Sequence, residues 1–228
     1  MDILPISLLF VGFLVLGNLS LALNPVSFYQ IAKILTTPTV VAINFLLWGK
    51  RISTPLVMSI LASCVGVGLT TSGFAVSNRA GTVVATAAFV ITAFYQIWIG
   101  KKISDLAVSA PQLLLNQAPL SVAVLLCAMP FVDTMPDVAQ IDPAIIKMFL
   151  LSGLGAAALN LSQFLIIGRT SALTFNIVSN AKNIIIISIG WLQTGKILGM
   201  SDFLGVSLAL GGAFTYSWMC HKEKQRGK

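Results

Sequence analysis

Ionised side chains are scarce in this chain of 228 residues. Only 9% of its residues are Asp, Glu, Lys or Arg, whereas a typical soluble domain carries about a quarter. So few charges cannot cover a water-facing surface, which excludes an ordinary soluble domain. Apolar residues make up 57% of the sequence and recur in long runs, which indicates that lipid is the main solvent of this protein.

Residues that form metal or catalytic centres are also few. Cys64, Cys127 and Cys220 lack the spacing of metal ligands, and His221 stands alone at the end of the last apolar run. We therefore predict no metal, no cofactor and no catalytic residue. A membrane enzyme would need carboxylates or histidines close to the membrane, and only the loop 133–142 offers acids, which we interpret as loop solvation.

The apolar runs are long enough for helices to cross a bilayer. The period-two alternation of strands is absent, and backbone groups in lipid must form hydrogen bonds within the spanning segment. The sequence therefore predicts an all-α integral membrane protein with about eight transmembrane helices. The runs cover residues 4–23, 27–48, 54–74, 82–99, 112–131, 145–167, 172–193 and 202–220.

Basic residues outside the runs predict the orientation. Nine lie in the loops and tail on the same side as Met1, and three lie on the opposite side. This asymmetry places both termini in the cytosol and explains the net charge of +7 without nucleic acid. The nine are Lys50, Arg51, Lys101, Lys102, Arg169, Lys222, Lys224, Arg226 and Lys228, and the three are Arg79, Lys147 and Lys196.

A weak internal repeat links the two parts of the chain. Asn18-Leu19-Ser20 in the first run recurs as Asn160-Leu161-Ser162 in the sixth, and Gly49-Lys50 recurs as Gly195-Lys196. The matched runs are five apart, and an odd offset makes them cross the membrane in opposite directions. An inverted-topology repeat of this kind is typical of secondary transporters, whose substrate site lies near the midplane where the repeats meet.

Two lysines, Lys33 and Lys182, fall inside predicted spans. Each costs about 2.5–3.5 kcal/mol at the bilayer centre. All seven acidic residues lie in loops or at helix ends, so no carboxylate is available at that depth. An anionic substrate such as a pyrophosphate would neutralise both lysines. The alternative for Lys33, which lies six residues into its run, is that its ammonium extends to the interface.

Polar residues accompany the two lysines. Tyr29 lies one turn before Lys33 and shares its face, and four polar residues form an arc beside Lys182 that is too polar to face lipid. Packing between helices is the alternative for each of them, as it is for Asn116-Gln117, which could also recognise a base or sugar. Tyr95-Gln96 is a weaker candidate. The predicted substrate-binding residues are Tyr29, Lys33, Asn116, Gln117, Asn176, Ser179, Asn180, Lys182 and Asn183.

Several of these residues belong to segments that resemble a known family. Phe28-Tyr29-Gln30-Ile31-Ala32-Lys33, with Thr36-Thr37-Pro38, resembles the fourth helix of the nucleotide-sugar transporter and triose-phosphate translocator family of the drug/metabolite transporter superfamily. Asn116-Gln117-Ala118-Pro119 resembles its seventh helix, and residues 174–182 resemble its ninth. The likeness covers essentially the whole chain and is greatest to the branch that contains UDP-rhamnose/UDP-galactose transporters.

The resemblance implies a ten-helix inverted-repeat fold and a specific activity. That activity is antiport of a cytosolic nucleotide sugar, UDP-linked in this branch, for a nucleoside monophosphate across the Golgi or endoplasmic reticulum membrane. Lys33 and Lys182 match family lysines implicated in holding phosphate. Residues 114–117 depart from the GDP-mannose motif, and Asn183 stands where plastid translocators carry Arg. A sugar-phosphate or phosphate translocator is the disfavoured alternative, and the family allows a homodimer.

The chain begins where the third helix of the family begins. It is therefore expected to be an incomplete version of the ten-helix fold that lacks two helices lining the cavity. This departure leaves open an inactive or regulatory truncated transporter. The expected organisation is one transmembrane domain over 1–228, with a partial first repeat at 1–76, a second repeat at 80–220 and a cytosolic basic tail at 221–228.

Overall fold

The protein is entirely helical in the part of the chain that its structure, a computed structural model, describes. That part comprises residues 3–24, 29, 33, 35–49, 52–70, 79–132, 142–180, 182 and 199–226. It contains eight helices and no strand, which confirms the predicted all-α class. The helices are α1 (Leu4–Leu23), α2 (Thr36–Trp48), α3 (Thr54–Thr70), α4 (Arg79–Asp105), α5 (Ala110–Val132), α6 (Pro143–Arg169), α7 (172–180) and α8 (Met200–Arg226); Tyr29, Lys33 and Lys182 are also helical.

Four helices are long and apolar enough to cross a bilayer, namely α1, α4, α5 and α6. The apolar parts of α2, α3 and α8 are shorter and cover Thr36–Trp48, Thr54–Gly66 and Phe203–Tyr216. The order of the eight helices follows the eight predicted runs. How many of them cross the bilayer stays a prediction.

Helix α4 is longer than its apolar run. The run covers 82–99, whereas the helix spans 27 residues from Arg79 to Asp105. Hydropathy marks only the part of a helix that lies in hydrocarbon, and a helix can continue into the interface when long basic side chains such as Lys101 and Lys102 reach water. This extension places a charged helical turn of α4 beside the end of α2.

The helices pack in two groups that share α4. Helix α1 packs against α4 and α5, and α2 packs against α4. One apolar core lies between α1, α4 and α6, where the Phe13 and Tyr95 rings stack with centroids 5.7 Å apart and Phe164 lies at the edge of Tyr95. A second core joins α2, α4 and α7 through residues that include Val40, Ile97 and Ile177. The second core therefore holds α2 and α7 together against α4.

Helices α3 and α8 form the closest pair in the structure. A Cβ atom at Gly66 would lie 2.6 Å from the Gly205 carbonyl oxygen and 2.8 Å from the Ala209 Cα. A Cβ atom at Gly212 would lie 2.7 Å from the Ser59 carbonyl oxygen. The backbones therefore touch, as small residues permit in membrane helix pairs. Because an early residue of α3 meets a late residue of α8, the two helices are antiparallel.

Most of α6 is uncovered. Every residue from 143 to 159 is exposed, including large apolar side chains such as Phe149 and Leu151. Only the C-terminal part of the helix is packed, where Phe164 and Ile167 enter the core shared with α4. An apolar surface of this kind needs lipid or further helices around it.

Candidate functional site

A central chamber lies between α1, α2, α4, α6 and α7. Its volume is about 410 Å³, and both intramembrane lysines, Lys33 and Lys182, line it. The two lysines come from helical segments that are far apart in the sequence, so tertiary packing brings them to one cavity. The chamber also receives Thr36 from α2, and the Thr36 hydroxyl is buried without a hydrogen-bond partner.

The chamber is positively charged. Lys33 and Lys182 bring two ammonium groups to the lining of one cavity, and the Lys33 ammonium lies 5.5 Å from the centre of the Tyr29 ring. The acidic side chains described by the structure lie elsewhere: Asp105 ends α4, and Asp142 caps α6 by accepting a hydrogen bond of 2.8 Å from the Ala144 amide. Because like charges in a region of low dielectric constant raise each other's energy, this chamber favours an anion.

Amide and hydroxyl groups of α7 form one wall of the chamber, where Asn176, Ser179 and Asn180 line the cavity. Asn176 donates a hydrogen bond of 2.6 Å to the Gln96 side-chain oxygen, and Asn180 donates one of 3.2 Å to the Thr37 hydroxyl. These bonds tie α7 to α4 and α2. They fix the direction in which the remaining polar atoms of α7 point.

Helix α6 supplies chamber residues that the sequence analysis missed. Asn160, Ser162 and Gln163 line the same cavity as the polar residues of α7. Asn160 and Ser162 carry the internal repeat, and that match was the one signal that could have pointed to them. Nothing in the pattern marked Gln163, because a single glutamine in an apolar helix is equally typical of packing.

The predicted residues on α5 lie away from the chamber. Asn116 is exposed and is not among the residues that line the cavity. Gln117 is only 1% exposed and donates a hydrogen bond of 3.2 Å to the Tyr95 hydroxyl within the α1–α4 core. Asn183, which completed the predicted arc, lies outside the described residues. The structure therefore brings together Lys33, Asn176, Ser179, Asn180 and Lys182, with Tyr29 beside Lys33.

A second cavity, which we call the vestibule, has a volume of about 400 Å³. It lies where α2, α4 and α6 end and α7 begins, and Gln96 is the residue that it shares with the chamber. Its other lining residues include Asn44, Trp48, Lys101, Ser104, Asp105 and Thr170.

A family model and several known proteins are similar in sequence to this chain. The family model described as the Triose-phosphate Transporter family matches residues 1–217. UDP-rhamnose/UDP-galactose transporter 1 of Arabidopsis thaliana is 33% identical over 214 residues, which are 92% of this chain and 62% of that protein. UDP-xylose transporter 1 of the same plant is 30% identical over 216 residues, which are 91% of this chain and 63% of that protein.

A solved crystal structure has the same overall fold, with a TM-score of 0.69 at 16% identity over 92% of this chain and 75% of that one. This chain spans about three fifths of the length of the curated relatives that it matches. The family match nevertheless extends from the first helix into the last. The chain belongs to the triose-phosphate transporter family.

Proposed function

We propose that the protein is an antiporter that exchanges a UDP-linked nucleotide sugar for a nucleoside monophosphate across the Golgi or endoplasmic reticulum membrane, with both termini in the cytosol. Relatives named as UDP-rhamnose/UDP-galactose and UDP-xylose transporters support the substrate class. They are transporters by name, which agrees with a protein that is not an enzyme.

One observation carries this proposal. Lys33 and Lys182 line the same chamber, and no carboxylate in the described part of the chain lies beside them. Two such charges at depth are costly unless a ligand neutralises them. A diphosphate carries two or more negative charges and several acceptor oxygens, so it fits two convergent lysines better than a neutral solute does.

The polar wall suggests how the rest of the substrate would bind. With the diphosphate on Lys33 and Lys182, the amides and hydroxyl of Asn176, Ser179 and Asn180 would face the ribose and sugar hydroxyls. Tyr29 offers an aromatic edge beside Lys33. The proposed set also includes Asn183, which follows Lys182, and Asn116 and Gln117, which in this conformation lie outside the chamber.

An inverted repeat is part of the proposal. At the α3–α8 crossing Gly66 contacts Gly205, and Gly212 contacts Ser59. Gly205 lies 146 positions after Ser59, and Gly212 lies 146 positions after Gly66. A two-fold rotation that exchanges α3 and α8 with this offset therefore converts one contact into the other. The pair Gly49 and Gly195 has the same offset in the sequence. This symmetry supports one domain in which residues 1–76 and 80–220 are related by an axis in the membrane plane.

The test is exchange by the purified full-length protein in liposomes loaded with UMP. We expect uptake of radiolabelled UDP-galactose that depends on internal UMP, and we expect Lys182→Ala to abolish it. In the loaded chamber Lys182 would form a charge-assisted pair with the phosphate, and removing one partner of such a desolvated pair costs about 2–5 kcal/mol, which predicts a loss of about 30-fold or more. Lys147→Ala removes the same charge from α6 outside the chamber and should leave exchange intact.

Exchange by Lys182→Ala at the rate of Lys147→Ala would contradict the phosphate role of Lys182. Competition by triose phosphate or inorganic phosphate, with no uptake of UDP-sugars, would point instead to a sugar-phosphate translocator.

A second function has one observation in its favour. The face of α6 from 143 to 159 is uncovered in the described structure, so the chamber wall is a single helix on that side. A non-transporting, regulatory member of the family would tolerate such a wall. It would bind UMP without exchanging it, and the same liposomes would show binding but no counterflow.

A further inference from the structure

The vestibule has the composition of a binding site. Its lining combines an ammonium group, two side-chain amides, several hydroxyls and an indole ring, contributed by four different helices. It opens at the end of the bundle that carries Lys101 and Arg169, which the charge distribution predicts to be cytosolic. None of its residues except Gln96 reaches the central chamber.

The Lys101 side chain is held by two indole rings. Its ammonium lies 5.4 Å from the centre of the Trp48 ring and 5.5 Å from the centre of the Trp98 ring. The rings attract the cation without neutralising its charge, because a quadrupole supplies no counterion. Asp105, one turn further along α4, also lines the vestibule, and the Lys101 ammonium lies over the two rings. Lys101 therefore brings an ammonium group to a cavity that the Trp48 indole also lines.

A closed barrier separates the vestibule from the chamber. Gln96 and Asn176 are 4% and 6% exposed, and their hydrogen bond of 2.6 Å lies where the two cavities meet. Ile97, Leu173 and Ile177, which are near these two residues along α4 and α7, are buried in the core that joins α2, α4 and α7. Along α7, Leu173 faces the vestibule, whereas Asn176 and Asn180 face the chamber. A solute beside Leu173 in the vestibule is thus about two helical turns of α7 away from Lys182. The Gln96–Asn176 pair lies between them.

We propose that the vestibule is an outer binding site for a nucleotide, in which Lys101 binds a phosphate and the Trp48 indole stacks on the base. This inference rests on the proposed function for the choice of nucleotide. Every nucleobase presents a π face to an aromatic ring, and an ammonium group binds phosphate by charge-assisted hydrogen bonds. A cavity of about 400 Å³ holds a nucleoside monophosphate. The outer site concentrates substrate before the Gln96–Asn176 barrier opens.

The experiment isolates the outer site by disabling the inner one. In the Lys182→Ala protein, in nanodiscs of neutral lipid, we expect UMP to bind at one remaining site by isothermal titration calorimetry. Adding Lys101→Ala should weaken that binding about tenfold, the value of one charge-assisted hydrogen bond. Asp105→Asn should strengthen it, because an opposing carboxylate is removed from the cavity.

Lys222→Ala is the matched control. Lys222 also lies over an indole, with its ammonium 5.2 Å from the centre of the Trp218 ring, but it is outside the vestibule. Its removal should leave the affinity for UMP unchanged. A lipid phosphate is the other source of the same chemistry. Ribose 5-phosphate has the sugar and phosphate of UMP without the base, so its affinity shows what the base contributes. Nanodiscs that contain phosphatidylserine show whether a lipid headgroup competes with UMP.

Equal affinity for UMP in the Lys101→Ala and Lys222→Ala proteins would overturn the outer site. Binding of ribose 5-phosphate as tight as that of UMP would overturn the stacking of the base, and competition by phosphatidylserine alone would assign the charge to a lipid headgroup. These outcomes concern binding in a protein whose inner site is disabled. They are therefore independent of whether the intact protein exchanges UDP-sugar, which the liposome assay decides.

Discussion

The α3–α8 crossing gives a sharp prediction, because each contact glycine has a neighbour that can serve as its control. Gly66 and Gly212 face the backbone of the opposite helix, whereas Gly68 and Gly211 have no atom within 4 Å of a Cβ position. All four positions are helical. Gly→Ala adds one methyl group at each position and raises helix propensity by the same amount. Only at Gly66 and Gly212 would the methyl group collide with the backbone of the opposite helix.

The glycines in contact and the control glycines should change the stability of the protein in opposite directions. Alanine is favoured over glycine in a helix by about 1 kcal/mol, so Gly68→Ala and Gly211→Ala should be neutral or stabilising. At Gly212 the new Cβ would lie 2.7 Å from the Ser59 carbonyl oxygen, and backbone atoms cannot move aside as a flexible side chain can. Overpacking costs about 1–3 kcal/mol. The helix-propensity gain is common to both members of a pair and cancels, so the two should differ by the overpacking cost, about 1–3 kcal/mol.

Thermal unfolding in detergent measures this difference. In soluble domains of about this length 1 kcal/mol corresponds to roughly 2–4 °C in Tm, so the contact variants should unfold several degrees below their controls. Because heating of membrane proteins is seldom reversible, the midpoints should be compared at one scan rate. Equal midpoints for Gly212→Ala and Gly211→Ala would show that the two helices do not touch as described.

Three further changes test other contacts. Gln117→Leu leaves the Tyr95 hydroxyl unpaired and should lower Tm by a few degrees without changing the KM for UDP-sugar, whereas a raised KM would place Gln117 in the binding site. Asp142→Ala removes the N-cap of α6 and should cost about 1 kcal/mol, seen as a lower Tm, with Asp142→Asn retaining most of the stability. Gln96→Cys with Asn176→Cys should let a short bifunctional thiol reagent with a reducible linker join α4 to α7, which blocks exchange until reductant is added; exchange unaffected by crosslinking would contradict a moving barrier.

The helices were largely predictable from the sequence because hydropathy directly reports the solvent of a segment. Each of the eight runs contains a helix within the described residues, and the run at 4–23 coincides with α1. The ends were less predictable. Helix α4 continues to Asp105 beyond its apolar run because Lys101 and Lys102 reach the interface, and apolarity does not indicate where such an amphipathic extension stops.

The chamber was predictable in part. The cost of charge in lipid indicated that Lys33 and Lys182 share a purpose, and the structure places them on one cavity. The partners of these lysines across helix interfaces were not predictable. Whether Gln96 meets Asn176 depends on how α4 and α7 are rotated and how they cross. Gln117 is likewise a single glutamine in an apolar helix, yet its hydrogen-bond partner is Tyr95. The Trp48–Lys101–Trp98 cluster was overlooked because Lys101 was interpreted only as a topology signal.

The unpaired lysines of the chamber also have an electrical consequence. A nucleotide that carries two negative charges would leave a loaded chamber close to neutral, whereas an empty one would carry two positive charges through the membrane field. A potential of 100 mV acts on each such charge with about 2.3 kcal/mol. The rate at which the loaded carrier changes sides should thus depend little on the membrane potential. The rate at which the empty carrier returns should depend on it strongly. Moving the empty carrier against a potential of 100 mV would then cost about 4.6 kcal/mol for its two charges, which in that direction favours return with a bound nucleotide.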